Sequence, residues 1–191
     1  MPREHAFATH RVAIGVVVVV LGLVVVAALK GPVWWQRIYH PLRYTEAIAA
    51  SAARYDVDPY LVAAVINAES GFDPDQRSQA GAVGLMQLMP ETAAELAEAT
   101  GAGAVDAARL TDPSLNIDLG ARHLADLVAR FGDVRTAVAA YNAGAGRVEA
   151  WLAEEGVSAV GTTLPFPETE RYVERVLTER ERYRELYPDA F

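Results

Sequence analysis

The chain has 191 residues, which is room for one ordinary domain and an accessory segment. Hydrophobic residues make up 52% and charged residues 22%, so the chain is neither disordered nor fibrous. The formal net charge of −8 argues against a nucleic-acid partner, because a phosphate backbone would be repelled. The sequence contains no cysteine, which excludes disulfides and thiolate chemistry, and its four scattered histidines lack the HExxH spacing of zinc hydrolases.

The N-terminal segment is the most apolar part of the chain. Residues 12–29 contain no charged or polar side chain. At about 1.5 Å per residue this helix would span roughly 27 Å, close to the thickness of a bilayer's hydrocarbon core. Arg11 and Lys30 flank it, and Trp34 and Trp35 follow as an interfacial aromatic belt would. A core helix with one face at the surface of a domain would show a polar stripe, and this segment shows none, so the pattern predicts a transmembrane helix.

This segment divides the chain into three predicted parts. Residues 1–30 form a cytoplasmic tip and a transmembrane signal anchor, and residues 31–43 form a juxtamembrane linker. Residues 44–187 form one domain of ordinary size. A cleavable signal peptide stays an alternative, since Ala27 and Ala28 suit a cleavage site, although its apolar core is usually only about 7–15 residues long. Basic residues lie on both sides of the segment, so the positive-inside rule leaves its orientation open.

The rest of the sequence predicts helices only. No convincing alternating strand pattern occurs after residue 40, whereas helix boundaries are well marked. Asp58 and Pro59, for example, form an N-cap with proline at the first helical position, and Gly71 supplies the stop. The predicted helices cover residues 44–55, 59–69, 90–100, 113–131, 134–142, 147–155 and 169–186. We therefore expect an all-α domain.

One acidic residue lies on an apolar helix stripe. Val62, Val65, Ile66 and Glu69 follow the i, i+3, i+4, i+7 spacing and share one face of the predicted helix. Partial burial and the negative end of the helix dipole would both raise the pKa of Glu69. A carboxyl that keeps its proton near neutral pH can serve as a general acid. The alternative on this helix alone is a terminal glutamate that bends into solvent.

Two further segments contain polar side chains beside apolar ones. In the loop 78–90, Gln87 lies between a methionine and a leucine, as an amide in a sugar-binding groove would. Tyr141 and Asn142 stand at a helix end just before a glycine. Taken singly, each segment also has a simple structural interpretation. The loop could be a packed turn with an exposed glutamine, and the helix end could hold a buried tyrosine and a capping asparagine.

Four motifs in order point to one family. They are Glu-Ser-Gly-Phe at 69–72, Gly-Leu-Met-Gln-Leu-Met-Pro at 84–90, Ala-Tyr-Asn-Ala-Gly at 140–144 and Pro-Phe-Pro-Glu-Thr-Glu-Arg-Tyr-Val at 165–173. Over residues 44–186 the chain resembles the catalytic domain of the soluble lytic transglycosylases (SLT), which cleave peptidoglycan. The resemblance implies an all-α, lysozyme-like helical domain, here preceded by a single transmembrane helix.

The resemblance also implies roles for particular residues. Glu69 matches the single catalytic acid/base of the family, and Ser78 matches the serine that hydrogen-bonds its carboxyl. The implied substrate-binding residues are Ser78, Gln87, Met89, Tyr141, Asn142, Glu168 and Tyr172. No cofactor and no metal are implied. The chain departs from the family pattern at four positions, none of them among these roles: Asp73, Asp75, Gln79 and His123.

The implied reaction cuts the β-1,4 bond between N-acetylmuramic acid and N-acetylglucosamine without water and leaves 1,6-anhydromuramic acid ends. One alternative is a hydrolytic muramidase on the same fold, in which Asp73 or Asp75 activates water. Another is a non-catalytic glycan-binding module. The expected partners are peptidoglycan strands and, through the N-terminal helix, the cell membrane, with no nucleic acid. Because peptidoglycan lies outside that membrane, we expect a single-pass protein with its catalytic domain on the extracytoplasmic side.

Overall fold

The structure is a computed structural model that describes residues 14–25, 31–101, 103–155 and 165–191. The chain divides into two compact units, Met1–Pro41 and Leu42–Phe191. The first unit contains helix α1, described over residues 14–25 with exposed apolar side chains, and helix α2, Val33–Tyr39. None of the helices in the described part of the chain reaches the length and hydropathy of a membrane span. The predicted cytoplasmic tip and both ends of the predicted span lie outside the described residues.

Helix α2 occupies part of the segment that the sequence predicted as a linker. It starts after Pro32, whose carbonyl accepts a hydrogen bond from Trp35 N at 2.8 Å. The Gln36 side chain donates back to Gly31 O at 2.8 Å. Trp34 and Trp35 contact each other edge to face, with ring centroids 5.8 Å apart. Seven residues are too few for a helical periodicity to be recognised in sequence, which explains why this helix was missed.

The second unit is built from helices joined by short loops. These are α3 Thr45–Tyr55, α4 Pro59–Ser70, α5 Pro90–Thr100, a 3-10 turn Arg109–Thr111, α6 Pro113–Phe131, α7 Val134–Ala143, α8 Ala145–Glu155 and α9 Pro167–Leu186. The described residues of this unit include isolated β-bridges but no strand, so the all-α prediction is confirmed. The predicted helix ends differ from the observed ones by no more than two residues.

The helix ends agree closely because their capping residues act locally. The Asp58 carboxylate accepts a hydrogen bond from Tyr60 N at 3.1 Å, and the Asp112 carboxylate accepts one from Leu115 N at 2.8 Å. Each aspartate satisfies a backbone N–H that has no partner inside its helix. Gly71 ends α4 in the left-handed conformation that glycine adopts without steric cost.

Helix α4 runs through the centre of the second unit. All residues of Leu61–Ile66 are buried, and the helix packs mainly against α9 and, less extensively, against α3. Its first two residues, 59–60, and its last turn, residues 67–70, are partly accessible. A helix that is buried on every side must be apolar on every side. The first polar side chains of α4 therefore emerge at its C-terminal end, where Glu69 lies.

A buried asparagine ties the loop after α4 to helix α6. The Asn116 side chain is fully buried and donates to Val83 O at 3.0 Å and to Leu110 O at 2.9 Å. Its amide oxygen accepts a hydrogen bond from Met86 N at 2.7 Å. The contact requires glycine at position 84, because a Cβ on Gly84 would lie 2.3 Å from the Asn116 amide nitrogen. One side chain thus satisfies three buried backbone groups of the loop and its neighbour.

Replacing Asn116 by alanine is expected to destabilise the fold by about 3 kcal/mol, because three buried backbone groups lose their partner. Chemical denaturation of the full chain measures this free energy of unfolding. The matched control is Asn142→Ala, an exposed asparagine whose loss should change stability by less than about 0.5 kcal/mol. Equal destabilisation by the two substitutions would contradict the role assigned to Asn116.

Candidate active site

The carboxyl of Glu69 lies where two helices meet. Glu69 is half-buried in the last turn of α4, and the Tyr172 hydroxyl donates a hydrogen bond to its Oε1 at 2.6 Å. Tyr172 lies on α9 and is only 5% exposed. The packing of α4 against α9 brings together these two residues, which are 103 positions apart in sequence. The carboxyl is therefore held in one orientation by a side chain that cannot swing into solvent.

Burial has the largest effect on the pKa of this carboxyl. Desolvation raises the pKa of Glu69, while the hydrogen bond from Tyr172 and the positive charge of Arg175 oppose the shift without cancelling it. Burial and the nearby Glu69 also raise the pKa of the Tyr172 hydroxyl well above its usual range, so Tyr172 stays a donor. The predicted direction of the Glu69 shift is confirmed. A raised pKa is the direction of shift that a general acid requires, and the catalytic role of Glu69 remains a prediction.

A cavity of about 350 Å³ opens beside this carboxyl. Its lining residues are Glu69, Asn142, Glu168, Arg171, Tyr172 and Arg175. The sequence interpretation named four of these and missed the two arginines. Their signal was present, because positions 168, 171, 172 and 175 follow the i, i+3, i+4, i+7 spacing of one helix face. In described residues, no group of three or more histidine, aspartate or glutamate side chains is placed to hold a metal ion.

Tyr141 is close to the same site but is fixed to the loop. Its hydroxyl donates to Met86 O at 2.8 Å, and the N–H of the same residue donates to the Asn116 side chain. Burial, and to a smaller extent the charge of Glu69, raise the pKa of Tyr141 well above its usual range. The ring of His123 packs against it at 5.2 Å with the planes tilted by 50°. Tyr141 therefore presents a neutral, immobilised ring near Glu69.

Three predicted substrate-binding residues lie in the loop rather than in the cavity lining. The Ser78 hydroxyl accepts a hydrogen bond from Ala82 N at 3.0 Å, which leaves its proton available for donation. The Gln87 amide donates to two backbone carbonyls of the loop and leaves its oxygen available to a ligand. Met89 is half-buried at the N-cap of α5. The predicted bond from Ser78 to Glu69 and the substrate contacts of these residues stay predictions.

The two aspartates that depart from the family pattern lie outside the cavity lining. Asp73 and Asp75 are exposed in the turn after α4. The Asp73 carboxylate accepts a hydrogen bond from Asp75 N at 3.0 Å, as in many aspartate-initiated turns. The Asp73 side chain thus stabilises this turn.

The comparisons with known proteins agree with the motifs. Residues 46–160, more than half of the chain, match the family described as the Transglycosylase SLT domain. The chain therefore belongs to the Transglycosylase SLT domain family. It is 33% identical over 174 residues to the soluble lytic murein transglycosylase of Escherichia coli (strain K12), an alignment that covers 87% of this chain and 27% of that protein. The chain spans about a quarter of the length of the first curated relatives it matches.

Solved structures show the same fold. The complex of a 70-kDa soluble lytic transglycosylase with bulgecin A has a TM-score of 0.76 at 33% identity, covering 85% of this chain and 28% of that one. An inactive mutant of the lytic transglycosylase Slt from Pseudomonas aeruginosa, in which a glutamate is replaced by glutamine, has a TM-score of 0.70 at 32% identity. It covers 83% of this chain and 27% of that one. The expected lysozyme-like SLT fold is thus confirmed.

Replacing Glu69 by glutamine is expected to stabilise the folded chain at neutral pH. Because the folded pKa of Glu69 is raised above its ordinary value of 4.5, the folded state holds this proton more tightly than the unfolded chain does. The resulting stabilisation is present below the ordinary value and is lost as the pH rises through the folded pKa. Glutamine stays neutral and can still accept the Tyr172 hydrogen bond.

Calorimetry of the full chain checks this between pH values of about 4 and about 8, where the stability advantage of Glu69→Gln should grow with pH. Glu168→Gln is the matched control, since it removes an exposed carboxylate from the same cavity. A Glu69→Gln chain whose melting temperature follows the wild type in parallel at every pH would show that burial does not perturb this carboxyl.

Proposed function

We propose that the chain is a peptidoglycan lytic transglycosylase. It would cleave the β-1,4 bond between N-acetylmuramic acid and N-acetylglucosamine and close the muramic acid into a 1,6-anhydro ring. The observation that carries this proposal is one half-buried carboxyl of raised pKa, Glu69, oriented by Tyr172 at the edge of a cavity. Membership of the SLT family and the names of its relatives supply the substrate class.

In the first step Glu69 acts as an acid. Its carboxyl proton passes to the glycosidic oxygen, and the C1–O bond breaks as the N-acetylglucosamine leaves as an alcohol. The carbonyl oxygen of the muramic acid N-acetyl group attacks C1 and forms an oxazolinium-like ring. This group of the substrate takes the place of a second carboxylate nucleophile.

In the second step Glu69 acts as a base. Its carboxylate removes the proton of the muramic acid C6 hydroxyl, whose oxygen attacks C1 and displaces the acetamido oxygen. Glu69 regains its proton, and no water enters the product. The attack is intramolecular, so its high effective concentration lets it compete with water.

The distribution of carboxylates supports this single-residue mechanism. Most glycosidases place two carboxyls about 5–9.5 Å apart across the scissile bond. One acts as the general acid and the other as the nucleophile or the general base. Here the other carboxyl in the cavity lining, Glu168, is exposed on α9, and Asp73 and Asp75 lie in an exposed turn outside that lining. A hydrolytic muramidase would need one of these aspartates to activate water. Because neither aspartate lines the cavity beside Glu69, the structure favours the transglycosylase reaction.

Digestion of purified peptidoglycan by the full chain tests the proposal. We expect products with 1,6-anhydromuramic ends, which mass spectrometry separates from reducing ends by one water. Glu69→Gln should lower turnover by at least about 100-fold, since a general acid–base group is lost. Asp73→Asn and Asp75→Asn are matched controls that should retain anhydro products. Reducing ends that depend on either aspartate would establish the muramidase instead, and binding without cleavage would establish a glycan-binding module.

We further propose that residues 1–30 contain a single-pass membrane anchor, with the catalytic domain on the extracytoplasmic side where peptidoglycan lies. The support is the unbroken apolar run 12–29, whose described part, 14–25, is helical with exposed side chains. An apolar surface on all sides of a helix suits lipid better than water.

The anchor predicts that the full chain stays with membranes after a carbonate wash. Val18→Arg combined with Leu21→Arg should move it to the supernatant, because each charge costs about 2.5–3.5 kcal/mol at the centre of a span. Val18→Ala with Leu21→Ala is the matched control and should remain in the membrane. A wild-type chain recovered without residues 1–28 would identify a cleaved signal peptide.

A further inference from the structure

Two arginines beside Glu69 make no ion pair with the described residues. Helix α9 carries five arginines, and three of them pair with carboxylates: Arg180 and Arg184 with Asp58, and Arg182 with Glu179. The other two, Arg171 and Arg175, line the cavity, and neither makes an ion pair with a carboxylate that the structure describes. A charged side chain left without a partner at a cavity is a candidate for binding a ligand of opposite charge.

Each of these two exposed arginines makes a hydrogen bond to a backbone carbonyl. Arg171 Nε donates to Pro167 O at 3.1 Å. Arg175 Nη2 donates to Ala68 O at 3.2 Å, and its guanidinium carbon lies 5.5 Å from the centroid of the Tyr172 ring. A guanidinium has five N–H donors in a planar fork, so most of them remain available. The spacing of four residues places both side chains on one face of α9.

The charge of the cavity differs from that of the chain. The whole chain carries −8, which repels an anionic polymer at long range. In the cavity lining, however, the two arginines outnumber the single exposed carboxylate, Glu168, whenever Glu69 holds its proton. An anionic group of the substrate is therefore favoured at this point when Glu69 is ready to act as an acid.

We propose that Arg171 and Arg175 bind a carboxylate of the peptidoglycan strand and make the enzyme selective for strands that carry one next to the scissile bond. This inference rests on the proposed function and names the part of the substrate that the cavity recognises. Guanidinium and carboxylate have matching planar geometry, so a paired hydrogen bond is available. The carboxylate has two sources, the peptide attached to muramic acid or, where no peptide is attached, the lactyl group itself.

Binding to the full chain carrying Glu69→Gln tests the proposal. In this background cleavage is blocked, and any effect of Arg175 acting through the charge of Glu69 is removed. The ligands are a disaccharide-tetrapeptide with free carboxylates, its methyl ester, and the peptide-free disaccharide with a free lactyl carboxylate. Calorimetry should show the free acid binding about tenfold tighter than the ester, as expected for charge-assisted hydrogen bonds.

Removing the arginines should abolish this preference. In Arg171→Gln with Arg175→Gln the free acid and the ester should bind equally, whereas Arg130→Gln, which removes an exposed arginine on α6, should keep the tenfold difference. Selective weakening of the peptide-free disaccharide would assign the carboxylate to the lactyl group, and selective weakening of the tetrapeptide ligand would assign it to the peptide.

Three results would overturn the proposal: equal binding of acid and ester to the parent, an unchanged preference in the double variant, or no binding of any ligand. Each is distinct from failure of the proposed function, which is read from cleavage by the wild-type chain. Wild-type cleavage that leaves anhydro ends, together with equal binding of acid and ester, would remove the arginines from recognition and leave the proposed reaction standing.

Discussion

The hydrogen bond between Tyr172 and Glu69 depends on one packing contact, that of α9 against the central helix α4. This contact buries the Glu69 carboxyl, which raises its pKa, and it also supplies the hydroxyl that orients the carboxyl. The two effects oppose each other, because the hydrogen bond favours the ionised form that burial disfavours. A residue that must first give and then take a proton benefits from such a balance.

The rest of the site is connected to this contact through the loop after α4. Asn116 holds Met86 N from α6, and Tyr141 holds Met86 O from α7. Helices α6 and α7 thus both hydrogen-bond to the backbone of Met86. The bond from α7 fixes the ring of Tyr141 near Glu69, although the two side chains share no hydrogen bond. Gly84 allows this approach because any side chain there would collide with the asparagine. The loop is accordingly part of the scaffold of the site as well as part of its surface.

Sequence reasoning succeeded where the physical cause is local. Helix boundaries depend on capping carboxylates and left-handed glycines, which act within a few residues, so the helices of the second unit were predicted closely. The prediction was less complete for the seven-residue helix α2, which is too short to show a helical periodicity. It was also less complete for residues whose role depends on a neighbour that is distant in sequence. Arg171 and Arg175 had the periodicity of the site, but only the proximity of α9 to the end of α4 shows that they border a cavity.

The sequence by itself determined the all-α class, the family through its four ordered motifs, and Glu69 as an acidic residue on an apolar stripe. These follow from short-range patterns that any chain carries in its linear order. Only the tertiary structure decided that Tyr172 donates a hydrogen bond to Glu69, and that two arginines without ion-pair partners in the described chain lie beside it. Burial and charge pairing are set by residues about a hundred positions apart, and their distances exist only once the helices have packed.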